Sequence, residues 1–409
     1  MTNVLMVGLH DGYAEYFDRD PELRLHVLEE PEIHHRNEDG YRRCAPGGLV
    51  LAEYQQRDDF LEAVRARHER IGFEAVVPAW EYGVEAAGRI AEALGLRSPG
   101  RRAVGACTDK LTLRRLLAGT SVAQPRWARV GSEQEVADFF RGVPIVVKPS
   151  NRHASVGVVR VDDVHDVPWA WKECAGADEV RTVTDRGRAT DYVAEEFVAG
   201  YQVSVETLVR DGEVVFDSVD LMLTAGGPYF PILSVTVPAP IPAEEQTAVV
   251  DASHALVTAL EVADGTIHSE WKIHAGRPCL IECAARVPGA FTPELAERSY
   301  DGFSMYGAQI RLLAGLDPRL PKRAGSTAAV RWFHPPAGRL RAVSGVDRLA
   351  GDPAVFLHRV KVAPGELIPV CRDGWHRVGY FAVHAPTAGE VAAKTRELLE
   401  AVEFDVEPT

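Results

Sequence analysis

Residues 265–286 read GTIHSEWKIHAGRPCLIECAAR, two short apolar runs about a turn, each carrying a glutamate where a plain strand would be content with threonine. A turn centred on Gly276 pairs the runs antiparallel, with Lys272 facing Leu280, Glu270 facing Glu282 and His268 facing Ala284. Strand alternation then puts His268, Glu270, Lys272, Glu282 and Ala284 on one face and Trp271, Ile273, Ile281 and Cys283 on the other. Directly opposed residues have Cβ atoms ~5 Å apart, and like charges there repel. Two facing carboxylates therefore call for a cation. An oxygen-only pair with room for phosphates beside it suits Mg²⁺, or Mn²⁺ in its place. The alternative is a solvated strand face on which Lys272, diagonal to Glu282, supplies the neutralising charge. On the hairpin alone both readings stand.

Two stretches upstream bear on that choice. In IVVKPSNRHASVGVVRV (145–161) Lys148 leaves a β-rich run just before a polar loop containing Ser155 and Gly157. Such a loop can fold over a polyphosphate, offering backbone N–H groups and a point charge; an ordinary hairpin with a surface lysine is the other reading. In YVAEEFVAGYQVSVE (192–206) Glu195 and Glu196 precede Phe197, Val198 and Gly200. A carboxylate beside an apolar strand can accept an exocyclic amino group while the backbone reads a ring edge, or it can be an acidic strand end.

The rest of the chain frames these motifs. Its 409 residues predict two to three domains. With 46% hydrophobic and 25% charged residues it has the composition of a soluble globular protein. No run of some 18 uncharged apolar residues occurs, so no membrane span or membrane partner is expected. MTNVLMVGLHDG lacks the basic start and cleavage site of a secretory signal. Cys44, Cys107, Cys174, Cys279, Cys283 and Cys371 fall at irregular spacings, as reduced thiols of a cytoplasmic protein would. A net charge of −14 argues against a nucleic-acid partner. Strands at 3–9 and 73–78, the second followed by a helix ending at Gly95, predict an open α/β sheet with mainly parallel strands. The loop GLHDG is not GxGxxG, so a dinucleotide site there has little support. Helices are expected at 108–119, capped by Thr108 or Asp109, at 132–142, 245–262 and 293–314, and a hairpin about RDGE (210–213). Residues 320–409 read as a strand-rich tail with a last helix at 387–401.

Taken in order, DK (109–110), VVKP (146–149), EEFVAG (195–200), HSEWK (268–272) and IECAAR (281–286) form a pattern, and over nearly its whole length the chain resembles the ATP-grasp superfamily, in particular carboxylate–amine ligases of the L-amino acid ligase type. The resemblance implies a mixed α/β and α+β ATP-grasp fold. It divides into a Rossmann-like open parallel sheet at 1–105, a central and lid subdomain at 106–200, a catalytic subdomain at 201–318 and a strand-rich C-terminal subdomain at 319–409. It also implies ATP bound by Lys110 and Lys148 at the phosphates, under a loop at Ser155–Gly157. Glu195 would take the adenine amino group, Glu196 and Val198 would give backbone contacts, and Gln202 would reach the ribose. Glu270 and Glu282 would hold Mg²⁺, with Arg286, Lys148 and Glu282 as catalytic groups.

Two departures from the family pattern bear on substrates. Where relatives carry E-x-N, this chain has Glu282-Cys283-Ala284, so an amide is missing whose place His268 or water could fill. The substrate loop PYFPILSVTVPAP lacks the usual glutamate and Gly-His pair. Candidate substrate contacts are Tyr229, Phe230, Ser234, Thr236, His268, Arg286 and residues 286–292, with Tyr13, Glu81 and Tyr82 closing one side. The expected partners are a small carboxylate, foremost an amino acid, and an amine, in a homodimeric enzyme. Two other readings stay open: a ligase of specialised metabolism with a different acid or acceptor, and a nucleotide-binding protein without chemistry.

Overall fold

A computed structural model describes residues 1–45, 47–178, 183–184, 186 and 189–408. The amino-terminal part is a four-stranded sheet with every pairing parallel, in the spatial order Leu49–Leu51, Leu23–Glu29, Thr2–Val7, Ala75–Pro78. The sequence marks only Thr2–Val7 and the edge strand Ala75–Pro78, because the other two are short or carry charges that weaken the apolar pattern. After Thr2–Val7 the chain builds to one side, then returns to add Ala75–Pro78 on the other. This reversal leaves a crevice at the carboxyl ends of those two strands, where open α/β sheets accept ligands. Helix Val84–Leu94 follows as expected. Helix Arg101–Thr108, not anticipated, runs through the expected boundary at 105 and leads into Lys110–Leu116, where the Asp109 side chain accepts from the Thr112 amide.

Residues 127–196 form a second, antiparallel four-stranded sheet in the order Trp127–Val130, Tyr192–Glu196, Ile145–Pro149, Val159–Val161. The third sheet has eight strands, all antiparallel: Arg277–Ala284, Gly265–His274, Tyr201–Arg210, Glu213–Thr224, Ile232–Val237, Thr327–Trp332, Gly379–Ala385 and Val355–Val360. It passes residue 319 without a break, because Thr327–Trp332 pairs with Ile232–Val237. A small three-stranded sheet closes the carboxyl end.

One face of the large sheet is core and the other is the site. Val203, Val205, Ile267, Trp271, Ile273 and Leu280 pack with Val249, Leu256 and Leu260 of helix Ala243–Leu260. Gln202, Ser204 and Glu206, the intervening residues of the same strand, are polar and just as buried. Trp271, fully buried, is the largest side chain on the apolar face, worth roughly 3–5 kcal/mol against alanine.

The hairpin corrects one detail of the expected register. Its turn is the two residues Ala275 and Gly276, both left-handed at φ 48° and 74°, the geometry that matches strand twist. Lys272 therefore faces Cys279 and Trp271 faces Leu280, until a bulge at Ile281 restores Glu270 opposite Glu282 and His268 opposite Ala284. The bulge also turns Ile281 toward the site, so Leu280 rather than Ile281 belongs to the core.

Gly200 stands at the hinge between lid and large sheet, with φ +100° and an added Cβ only 2.0 Å from the Ile273 carbonyl oxygen. Gly276 has the same handedness but nothing within 4 Å. Gly276→Ala should cost the ~1–2 kcal/mol of a left-handed non-glycine residue, and Gly200→Ala distinctly more, because the backbone must also move. Thermal unfolding followed by circular dichroism checks this; equal falls in melting temperature would contradict the close approach at Gly200.

Candidate active site

The lid sheet and the polar face of the large sheet enclose a cavity of ≈ 200 Å³. Lys148 and Val146 line it from one lid strand, Glu195–Val198 from another, and Gln202, Met222, His268, Glu270, Ile281 and Glu282 from the large sheet. Lys148, Glu195, Glu196, Val198, Gln202, Ser155, His268, Glu270, Glu282 and Arg286 thus meet in one place, drawn from segments up to 138 positions apart.

Charges are arranged there in two tiers. In the lower tier the buried Glu195 carboxylate takes the Arg114 guanidinium at 2.8 Å and the Lys148 ammonium at 2.7 Å. Arg114 also donates to the Ile281 carbonyl at 2.6 Å, tying helix Lys110–Leu116 to the hairpin. Burial alone would raise the Glu195 carboxyl, but Arg114 and Lys148 override it and hold it below the ordinary range. Burial lowers Lys148, against the pull of Glu195. Both Glu195 oxygens are therefore engaged by cations, and an adenine amino group would have to share its carboxylate with them. Arg114 was missed in the sequence; its signal is that it follows Lys110 by one helical turn, on the same face.

In the upper tier Glu270 and Glu282 stand directly opposed. Lys110 Nζ lies 3.3 Å from Glu282 and 2.7 Å from the Arg152 carbonyl oxygen. Burial would raise the Glu282 carboxyl, yet Lys110 and Lys148 bring it down to about 2. Lys272, the alternative neutraliser, instead reaches the Gly200 carbonyl at 3.4 Å. Glu270 accepts from Gln202 at 2.6 Å and meets His268 Nε2 at 3.3 Å. The expected ribose contact, Gln202, thus orients a carboxylate. His268 Nδ1 faces Glu206 at 2.8 Å, so both ring nitrogens are engaged and the imidazole is no spare metal ligand. Burial opposes its charge, but Glu206 and Glu270 prevail and raise it to about 10. Beyond it lies Asp220, raised by burial and by Glu206, with one oxygen unpartnered, as befits a neutral acid. Glu206 and Asp220 were not singled out in the sequence, where they read as ordinary strand residues.

Among the described residues no group of three or more His, Cys, Asp or Glu side chains forms a closed metal cage. Two opposed carboxylates backed by lysines fit an ion that completes its shell with phosphate oxygens.

Other expectations shift. Ser155 lines the cavity, its hydroxyl donating to the Phe230 carbonyl at 3.2 Å. Gly157 does not line it; its Cα packs on Pro149, and an added Cβ would stand 2.8 Å from that ring. Tyr229 turns away to Glu173, at 2.8 Å. A bulge at Leu233 shifts the phase of its strand, so Ser234 and Thr236 pair with Leu223 and Leu221, on the face opposite Met222. Ser234 gives its hydroxyl to the Val330 carbonyl at 2.7 Å. Phe230 and Ile232 line the cavity instead. Arg286 sits at the far end, paired with Glu81 at 2.7 Å, and beside Tyr13; Tyr82 lies to one side, 5.0 Å from His153.

Residues 141–294 match the ATP-grasp domain and residues 331–407 the L-amino acid ligase C-terminal domain 2. The fold is similar to that of the L-amino acid ligase from Bacillus licheniformis, with a TM-score of 0.79 at 20% identity over all of this chain and 99% of that one. It is similar also to carboxyaminoimidazole ribonucleotide synthase from Aspergillus clavatus complexed with ATP, with a TM-score of 0.72 at 16% identity over 98% of each chain. Among curated sequences, an uncharacterised protein of Sinorhizobium fredii is 26% identical over 85% of this chain and 72% of its own length. A D-alanine–D-alanine ligase of Pseudomonas entomophila is 32% identical over 72 residues, 17% of this chain and 23% of that protein. Residues 141–294 thus carry an ATP-grasp domain and residues 331–407 an L-amino acid ligase C-terminal domain 2, on a fold of the ATP-grasp kind.

Glu195→Gln leaves Arg114 and Lys148 buried without their shared counter-charge. It should destabilise the protein by roughly 3–5 kcal/mol and lower its melting temperature, whereas Glu196→Gln, whose partner Arg126 is solvent-exposed, should shift it by under about 1 kcal/mol.

Proposed function

We propose that this ATP-grasp protein is an ADP-forming carboxylate–amine ligase, which activates a small acid as its acyl phosphate and joins it to an amine. The observation that carries this reading is the opposed pair Glu270 and Glu282, set before two lysines and ending at the partly buried Arg286. A carboxylate is a poor acyl donor, because attack on it meets negative charge and must expel oxide. Its oxygen attacks the γ-phosphorus of ATP, the bond to the β-bridging oxygen breaks, and ADP leaves. The amine nitrogen then attacks the acyl carbon, phosphate departs, and the nitrogen gives up a proton. The product is an amide, a dipeptide when both reactants are amino acids.

Such phosphoryl transfer depends on positioning and charge neutralisation more than on covalent help. Lys110 and Lys148 supply fixed positive charge for the phosphates. The backbone of Glu196–Val198 takes the adenine edge that Glu195 leaves, and Gln202 holds Glu270 in place. Glu270 and Glu282 would hold Mg²⁺ or Mn²⁺, which when bound neutralises phosphate charge. Arg286, fixed by Glu81, faces the charge that develops at the acyl group. The loop at 150–158 packs over the far side, where Ala154 accepts from the Gly374 amide at 3.0 Å; it keeps water from the acyl phosphate.

Protein mixed with Mg²⁺, ATP and a grid of acids and amines should release ADP and phosphate only when both partners are present. Formation of AMP and pyrophosphate, or no nucleotide turnover with any pair, would overturn this reading. Glu282→Gln should cut turnover by at least ~10²-fold with the circular dichroism spectrum unchanged. A folded Glu282→Gln protein with near-normal turnover would remove the metal assignment.

A further inference from the structure

A second cavity, of ≈ 220 Å³, opens from the far end of the nucleotide cavity, and the two share Arg286, Gly289, Ala290 and Arg377 in their walls. It lies in the crevice of the amino-terminal sheet, between the loop after Thr2–Val7 and the loop after Ala75–Pro78. Its walls are rings: His10 and Trp80 with centroids 4.6 Å apart, His10 and Tyr306 at 5.4 Å, and Tyr13 and Tyr306 at 4.5 Å. An apolar cavity of about 150 Å³ accepts benzene, so this one has room for a ring with a short chain.

Its charges are unbalanced. The one carboxylate in the lining, Glu81, is already paired with Arg286. His10 is neutral, because burial lowers it to about 4, and its Nδ1 accepts from the Gly12 amide at 3.1 Å. Arg377, delivered by the C-terminal domain, has no ion pair among the described residues. Its guanidinium lies 4.0 Å from the centre of the Trp332 ring, and its Nε has no hydrogen-bond partner. Asp373, the acid whose charge acts on Arg377, is itself engaged by the Trp375 amide and His376, each at 2.8 Å. One uncompensated guanidinium among aromatic rings is complementary to a carboxylate on a flat apolar body.

We infer that this cavity seats the acid to be activated, that the acid is of the aryl or arylalkyl class, and that Arg377 binds its carboxylate beside Arg286. This rests on the ligase reading above. Amino acids such as phenylalanine and acids without the amino group, such as 3-phenylpropanoate, share the chemistry recognised.

Calorimetric titration of the full chain with ADP present, using phenylalanine, 3-phenylpropanoate, alanine and acetate as probes, tests it. An aromatic probe should bind at least ~10-fold tighter than alanine or acetate, and whichever of the two binds better identifies the source. Arg377→Met should weaken that probe by about tenfold or more, with Arg377→Lys recovering part of the loss. Trp80→Leu, which touches neither Arg377 nor the nucleotide cavity, should erase the preference over alanine. Alanine binding as tightly as the aromatic acids, or Arg377→Met leaving acid affinity unchanged, would overturn the inference. Turnover separates the two readings: aromatic binding without ADP release under any amine would sink the ligase and spare the cavity, and ADP release driven best by alanine would do the reverse.

Discussion

The buried triad of Lys148, Glu195 and Arg114 is the constraint on which the site depends. Its side chains are at most 4% exposed, so no member can be left unpaired without a penalty of several kcal/mol. The three come from two lid strands and a linking helix, and Arg114 and Lys148 both turn toward the carbonyl of Ile281 on the catalytic hairpin, at 2.6 and 3.4 Å. Satisfying the triad therefore sets lid, helix and hairpin in one relative position. A hydrophobic contact would tolerate sliding; a paired charge does not. The position it fixes puts the Lys148 ammonium near Glu282 and the mouth of the nucleotide cavity, which is what a phosphate-binding lysine needs.

The same logic governs the floor of the site. Four carboxyl groups, those of Glu206, Asp220, Glu270 and Glu282, lie on one face of three adjacent strands and their neighbour, and four negative charges there would be prohibitive. The protein meets this by keeping Asp220 neutral, by placing an imidazolium at His268 between Glu206 and Glu270, and by setting Lys110 against Glu282. Ala284 is explained in these terms. It is the direct cross-strand neighbour of His268, and His268 is what reaches Glu270 from that end. Where relatives place an amide beside the second glutamate, this chain has a small residue beside a charged ring that already orients the first.

Much of this was legible in the sequence because strand periodicity is local. Alternation about a turn centred on Gly276 opposes Glu270 and Glu282, a pairing that the structure reaches from a shifted turn through the bulge at Ile281, and the ordered lysines and glutamates identify the ATP-grasp pattern. What alternation could not supply is the phase change at a bulge. The bulges at Ile281 and Leu233 each reverse the facing of their strand, turning Ile281 inward and sending Ser234 and Thr236 away from the cavity. Nor could spacing reveal engagements made across the fold. Glu195 looks free to bind a ligand until Arg114, 81 positions earlier, is seen against it. Arg377 is a surface arginine by any local rule, and only the continuous eight-stranded sheet brings its segment over the crevice.

That crevice ties the amino-terminal domain to the chemistry. The chain reversal between Thr2–Val7 and Ala75–Pro78 makes an opening that a sheet alone cannot close, and three later segments cover it: residues 286–290, Tyr306 and 374–377. His153 and Ala154 of the lid loop line both cavities, so one loop stands between the nucleotide cavity and the cavity proposed for the acid. Arg286 and Arg377 stand in the walls of both cavities. Two guanidiniums there, one held by Glu81 and one without an ion pair among the described residues, would on the proposed reading give a doubly negative phosphoryl group and an incoming carboxylate a shared electrostatic minimum, offsetting their mutual repulsion where the phosphorus and the carboxylate oxygen approach.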